Sequence, residues 1–133
     1  MRRSAQGYIE QAGREGGSII LAIDFDGVIV ENAWPLIGAE RPGAIAALKE
    51  LQKEHCIILW TCRTGAHLDN ALAALKDKDF VPDFVNENAK EMIDLFGGSD
   101  PRKIYAHVYI DDSTLVPLSD WYEILENVKR RMR

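Results

Sequence analysis

Ser18-Ile19-Ile20-Leu21-Ala22-Ile23-Asp24-Phe25-Asp26-Gly27 is an apolar run that climbs directly into two carboxylates separated by one residue, and then a glycine. A continuous apolar run of this length reads as a strand buried on both faces, as in a parallel sheet covered by helices. Open α/β folds place their ligands at the carboxyl edge of such a sheet, which gives a strand of this kind a reason to end in acids. Asp24 and Asp26 share side-chain parity and would lie on one face of a continuing strand, while Gly27 lets the chain turn. The competing reading of the four residues Asp-x-Asp-Gly is a solvated turn, and the rest of the chain has to decide between them.

Outward from this stretch the chain alternates. Residues 1–17 are polar and glycine-bearing, without periodicity, and read as a mobile leader. After the acids, residues 28–41 are too irregular for a long helix and read as a loop or small hairpin flap over the strand end. Trp34 in this flap either stacks on a substrate or packs the flap against the domain, with packing favoured. Pro42 suits the first position of a helix whose apolar stripe is Ile45, Leu48 and Leu51. Cys56 to Thr61 is a second buried strand, ending in a hydroxyl and followed by Cys62-Arg63-Thr64-Gly65. A helix with Leu68, Ala71, Leu72 and Leu75 at helical spacing follows, then a short strand at Phe84-Val85. Asn86 and Asn88 lie where that strand ends, a position from which both would face the pocket; helix capping by Asn88 is the competing and favoured reading. The third helix sets Ala89, Met92, Ile93 and Phe96 on one face and stops at Gly97-Gly98. Lys103 precedes the strand Ala106 to Ile110, which runs into Asp111-Asp112. Ser119 or Asp120 caps a last helix whose Trp121, Ile124, Leu125 and Val128 face inward. His67 reads as an exposed polar residue and His107 as a satisfied core or interface histidine.

Strand and helix in strict alternation call for a doubly wound, Rossmann-like parallel sheet with helices on both faces. Its 133 residues suit one domain, 18–133 after the leader. A formal net charge of −5 argues against broad nucleic-acid binding, which needs a basic surface. No apolar run approaches the roughly 20 residues that span a bilayer, and the opening Met1-Arg2-Arg3 is not followed by one. Cys56 and Cys62 on one extended strand would stand roughly 20 Å apart at about 3.3 Å per residue, too far for a disulfide. A reducing cytoplasm is therefore the expected compartment.

In a parallel sheet the strand ends at Asp24/Asp26, Thr61 and Asp111/Asp112 open on one edge. Two like charges about 4 Å apart repel by ~4 kcal/mol at an effective dielectric near 20, so four carboxylates there call for a cation. Oxygen ligands without a Cys/His set favour a hard ion, and Mg²⁺ fits best.

These residues resemble the motifs of the haloacid dehalogenase (HAD) superfamily. Asp24-Phe25-Asp26-Gly27-Val28 is similar to its first motif, Ile57-Ile58-Leu59-Trp60-Thr61 to its second, Lys103 to its third and Asp111-Asp112 to its fourth, in the right order. Leu59-Trp60-Thr61-Cys62-Arg63 and Arg102-Lys103 through Asp112 also resemble small bacterial and phage-type members without a cap domain. The resemblance implies a Mg²⁺-dependent phosphomonoester hydrolase. Asp24 would be the nucleophile, forming an aspartyl-phosphate, and Asp26 the general acid and then base. Thr61 would hydrogen-bond a phosphoryl oxygen, and Lys103 would neutralise Asp24 and the phosphate. Asp24, the backbone carbonyl of Asp26, and Asp111 and Asp112 would hold the metal, with Asp112 in direct contact. The backbone N–H groups of Phe25 and Cys62 would cradle the phosphate. Arg63, two past Thr61 at the same edge, either binds the phosphate or a second anionic group or is a solvated surface residue, with binding narrowly favoured.

The acid at Asp26 fits phosphate chemistry rather than dehalogenation, which has no leaving oxygen to protonate. Thr61 comes 35 positions after Asp26, and Lys103 comes 42 after Thr61. Both intervals are filled by the elements above, so an open site without a cap is expected. Open sites of this type suit a small phosphate ester, a nucleotide or a polymer end, or use a neighbouring subunit of a homo-oligomer as lid. A nucleic-acid end-processing phosphatase would show a basic groove built from Arg63, Arg102 and Lys103. A non-catalytic phosphate-binding or regulatory module is the reading from a different class.

Overall fold

The structure is a computed structural model that describes residues 18–131; the expected leader, 1–17, lies outside the described residues. β1 (Ile20–Ile23), α1 (Ala44–Gln52), β2 (Cys56–Leu59), α2 (Gly65–Asp77), β3 (Phe84–Val85), α3 (Lys90–Leu95), β4 (Val108–Ile110) and α4 (Trp121–Arg131) follow one another in the expected alternation. The four strands form one parallel sheet in the order β3-β2-β1-β4.

Two cores flank that sheet, and alternate residues of the central strands feed them. Ile19, Leu21 and Ile23 point to one face with Ile57 and Leu59, where α1, α2 and α4 supply Leu48, Leu51, Ala71, Leu75, Trp121 and Val128. Ile20, Ala22, Cys56 and Ile58 point to the other, against Ala89 and Met92 at α3 and Ile104. This period of two explains why β1 and β2 read as continuous apolar runs: both parities are buried. The doubly wound expectation holds, with three helices on one face and one on the other.

Topology fixes where a ligand can sit. From β1 the chain moves outward through β2 to β3, then returns past β1 to place β4 on its other side. β1 and β4 therefore flank the switch point, where helices on opposite faces leave a crevice beyond the strand ends. Asp24 continues from β1 into this crevice, its N–H bonded to the Ile110 carbonyl at 3.0 Å, and Asp111 and Asp112 enter it from β4.

Several local expectations are corrected. β1 ends at Ile23, and the Phe25 carbonyl then accepts the N–H groups of Val28, Ile29 and Val30, so the shared parity of Asp24 and Asp26 stops at the turn. The first helix starts at Ala44 rather than at Pro42, after Gly43 in a left-handed conformation (φ 77°), and the Glu40 carboxylate accepts the Ile45 N–H. Asn88 caps nothing. It is fully buried and ties down the 100–105 segment, donating to Asp100 and Pro101 and accepting the Tyr105 N–H at 2.6 Å. Phe96 stays partly exposed because α3 is only six residues long. Asp120 caps α4 as expected, accepting the Glu123 N–H at 2.8 Å. His107 accepts the Ile20 N–H on Nδ1, which fits a core histidine.

Residues 28–41, read from the sequence as a loop or small hairpin flap, are paired at their base. A β-bridge joins Val30 to Glu40, and hydrogen bonds from Glu31 to Ala39 and from Arg41 to Ile29 close the base. Trp121 Nε1 donates to the Val28 carbonyl at 2.7 Å, tying the flap's root to α4.

Candidate active site

Asp24, Asp111 and Asp112 each bring a carboxylate oxygen to within 4.8 Å of one another at the switch point. Asp112 reaches this cluster because residue 27 is glycine. A Cβ at Gly27 (φ 83°) would stand 2.1 Å from Asp112 Oδ2, so the sequence motif requires glycine for close approach as well as for the turn. Asp111 is partly engaged, its Oδ1 accepting the Ser113 N–H at 2.9 Å.

The electrostatics of the cluster fall most heavily on Asp24. Burial raises its carboxyl to about 7, and the neighbouring Asp111, Asp112 and Asp26 add to the rise, against the lowering pull of the Phe25 N–H. An oxygen-only cluster of this kind, with crowded negative charge, fits a hard divalent cation.

Asp24, Asp26, Asn32, Trp34, Thr61, Cys62, Arg63, Asp112 and Ser113 line one pocket of about 440 Å³. That volume lies within the roughly 300–1,000 Å³ of small-molecule sites. Thr61 owes its position to Asn86, which braces it from behind rather than facing the pocket. Asn86, held at φ 52°, accepts the Thr61 N–H and donates to the Thr61 carbonyl, both at 2.8 Å, extending the sheet edge by a side-chain amide in place of a strand. The Thr61 hydroxyl oxygen accepts the Arg63 N–H at 3.1 Å, and its own proton remains to donate. Neither Asn86 nor Asn88 lines the pocket.

Arg63 is corrected most. It is 1% exposed, and its guanidinium spends all five N–H groups inside the protein. Nε and Nη2 grip the two oxygens of Asp26 at 2.7 Å each, while Nη2 also donates to the Leu36 carbonyl and Nη1 to the Pro35 and His67 carbonyls. The rings of Phe25 and Trp34 lie 5.2 and 5.1 Å from its Cζ. With no donor left and no access to solvent, Arg63 is not a phosphate ligand in this geometry. It ties Asp26, the flap and the start of α2 together.

The same contact separates Asp26 from the acidic cluster: three of the four expected carboxylates gather, and the fourth turns to Arg63. The Phe25 N–H, expected to face a phosphate, donates to Asp24 Oδ1 at 2.8 Å, because an amide directly after an acid lies within reach of that side chain. Cys62 is exposed and lines the pocket. Lys103 is exposed, is not among the residues lining this pocket, and is not among the charges acting on Asp24. Arg102, exposed beside it, also stands outside the lining, so the basic groove is not formed here. Asn32 and Ser113 line the pocket without having been singled out; their composition, typical of turns, gave no signal.

Among the described residues, no helix is long and apolar enough to cross a membrane. No family model and no curated protein matches the chain. A solved structure of a conserved protein from Bacteroides thetaiotaomicron matches it with a TM-score of 0.78 and 36% sequence identity, over 86% of this chain and 93% of that one. Identity and coverage of that extent reach beyond shared architecture: the chain belongs to the same family as this conserved Bacteroides thetaiotaomicron protein.

Proposed function

We propose that the protein is a Mg²⁺-dependent phosphomonoester hydrolase of the HAD type, working through a phosphorylated Asp24. The observation that carries this reading is the meeting of Asp24, Asp111 and Asp112 at the switch point, with Asp24 and Asp112 sharing one pocket with Thr61. Asp24, Asp111 and Asp112, with the Asp26 carbonyl, are the groups that would hold the metal. When bound, Mg²⁺ would supply positive charge against the crowded carboxylates and the phosphoryl oxygens.

Asp24 attacks phosphorus as the carboxylate, and the ester oxygen leaves with a proton. Water then attacks the aspartyl-phosphate, releasing inorganic phosphate and regenerating Asp24. Thr61 donates its hydroxyl proton to a phosphoryl oxygen. Asp26 is the acid–base partner. The Arg63 fork holds both of its oxygens, so one prong has to open for an Asp26 oxygen to reach the leaving group or the attacking water. Lys103 stands outside the pocket in this geometry, so the reading rests on the other residues. Among the described residues, the sole cationic side chain lining the pocket is Arg63, already committed to Asp26, which favours a single phosphate group over a polyanionic strand.

The test is phosphate release from a panel of phosphomonoesters with Mg²⁺ and with EDTA, comparing wild type with Asp24→Asn. Metal-dependent release that falls to background in the variant is expected. Equal release by Asp24→Asn, or none from wild type, refutes the reading.

A further inference from the structure

Trp34 is the most exposed tryptophan in a position to meet a substrate. The residue is 54% exposed, it lies on the flap, and it shares the pocket with Asp24, Asp26 and Thr61. Exposed aromatic side chains on loops usually sample many rotamers, but this one is held from two sides. The Arg63 guanidinium lies 5.1 Å from its centroid, and the His67 ring meets it edge-on at 4.7 Å and 62°. Arg63 is immobilised by its five hydrogen bonds, two of them to the flap carbonyls of Pro35 and Leu36 next to Trp34. The Trp34 backbone is also fixed, its amide N–H donating to Asn32 Oδ1. The large exposed area that remains, on a ring whose orientation is already set, is what a stacking platform requires: little conformational freedom is lost when a flat group settles on it.

We infer that Trp34 is a specificity-determining residue that stacks a flat aromatic group carried close to the scissile phosphate, as in a nucleoside monophosphate or an aryl phosphate. This rests on the phosphomonoesterase reading and names the substrate class for the same pocket. The flanking electrostatics agree with it. Acids crowd the phosphate end, no uncommitted cation among the described residues lines the pocket, and the remaining lining is the indole with the neutral groups of Asn32, Cys62 and Ser113. A neutral aromatic group matches that surface better than a second anionic group does. Stacking against a guanidinium-backed indole also tolerates different rings, since any flat π-face can occupy it.

The experiment compares kcat/KM for adenosine 5′-monophosphate, phenyl phosphate and glycerol 3-phosphate in wild type, Trp34→Ala and Trp34→Phe, with Mg²⁺. The ratio of either aromatic ester to glycerol 3-phosphate should fall about tenfold in Trp34→Ala and be largely kept in Trp34→Phe. A ratio falling only for adenosine 5′-monophosphate identifies a nucleoside, and one falling only for phenyl phosphate a simple aryl group. Because a ratio is insensitive to the fraction of folded enzyme, an unchanged ratio overturns the inference. A second measurement separates this failure from failure of the hydrolase reading. In Asp24→Asn with Mg²⁺, indole fluorescence should be quenched by adenosine 5′-monophosphate or by phenyl phosphate, but not by glycerol 3-phosphate, and the quench should vanish in the added Trp34→Phe background. Absence of that quench overturns the inference whether or not wild type turns over.

Discussion

The Asp26 carboxylate and the Arg63 guanidinium meet as a two-pronged pair, Nε to Oδ2 and Nη2 to Oδ1, each at 2.7 Å, with Arg63 1% and Asp26 16% exposed. A residue of the strand-end acidic motif is thus bonded to the loop after β2, and through it to the flap. Geometry of this quality offsets the desolvation of both ions, and removing one partner leaves the other stranded.

Asp26→Ala should cost about 3 kcal/mol or more of folding stability by leaving a buried guanidinium without its counter-charge. The double variant Asp26→Ala/Arg63→Met should lose less than the sum of the two singles, since the charge and its partner leave together. Arg63→Lys should restore little, because an ammonium cannot occupy the forked site and still reach Pro35, Leu36 and His67. Urea denaturation of wild type, Asp26→Ala, Arg63→Met, the double variant and Arg63→Lys measures all of this.

Asp24 gives a pH dependence whose sign follows from its raised value. Its folded carboxyl titrates near 7 against an ordinary 3.8, so the folded protein holds this proton more tightly than the unfolded chain. The resulting stabilisation is complete below about 3.8 and is lost as pH rises through about 7. His55 acts in the opposite sense. Burial lowers its imidazole, which accepts the Ile19 N–H, and its contribution is lost as pH falls below the ordinary 6.5. Comparing melting temperatures of wild type and Asp24→Asn in EDTA cancels the histidine. The advantage of wild type should shrink between pH 4 and 7 (roughly the interval between the two Asp24 values). Added Mg²⁺ should stabilise wild type more strongly at the upper end of that range, where Asp24 no longer has to lose a proton.

Gly27→Ala should strike the acidic cluster before it strikes the core. The new Cβ would displace the Asp112 carboxylate, and residue 27 would be held at φ 83°. On the metal-dependent hydrolase reading, Mg²⁺ affinity measured by calorimetry should fall by about tenfold or more. The left-handed backbone alone should cost only about 1–2 kcal/mol of stability. Affinity that survives unchanged would show that Asp112 is not a ligand.

Asn86→Ala removes both hydrogen bonds on the Thr61 backbone and places alanine at φ 52°. A stability loss of about 2 kcal/mol is expected from the two lost bonds and the strained backbone. Asn86→Gly should recover the backbone share but not the alignment of Thr61. On the hydrolase reading, both variants should therefore show reduced kcat with Mg²⁺ affinity close to wild type.

The strand-and-helix order was legible because it depends on local periodicity. Buried runs such as Ile19–Ile23 and Cys56–Leu59, and stripes such as Ile45, Leu48 and Leu51, carry their secondary structure in neighbouring residues. Alternation then left a parallel sheet as the consistent arrangement, and a parallel sheet brings Asp24, Thr61 and Asp111–Asp112 to one edge. Partnership across the chain was not legible. Asp26 finds Arg63 37 positions later, Thr61 is aligned by Asn86 25 positions later, and Asn88 grips Tyr105 rather than a helix end. In each case a polar side chain had several chemically acceptable partners, and the choice followed from which donors the fold left buried and unsatisfied. The sequence alone determined the sheet and the edge at which its acids gather, since hydrophobic spacing is a one-dimensional property. Only the tertiary structure decided which acids share a cluster and that Arg63 turns inward, because those outcomes depend on distances between segments that spacing does not encode.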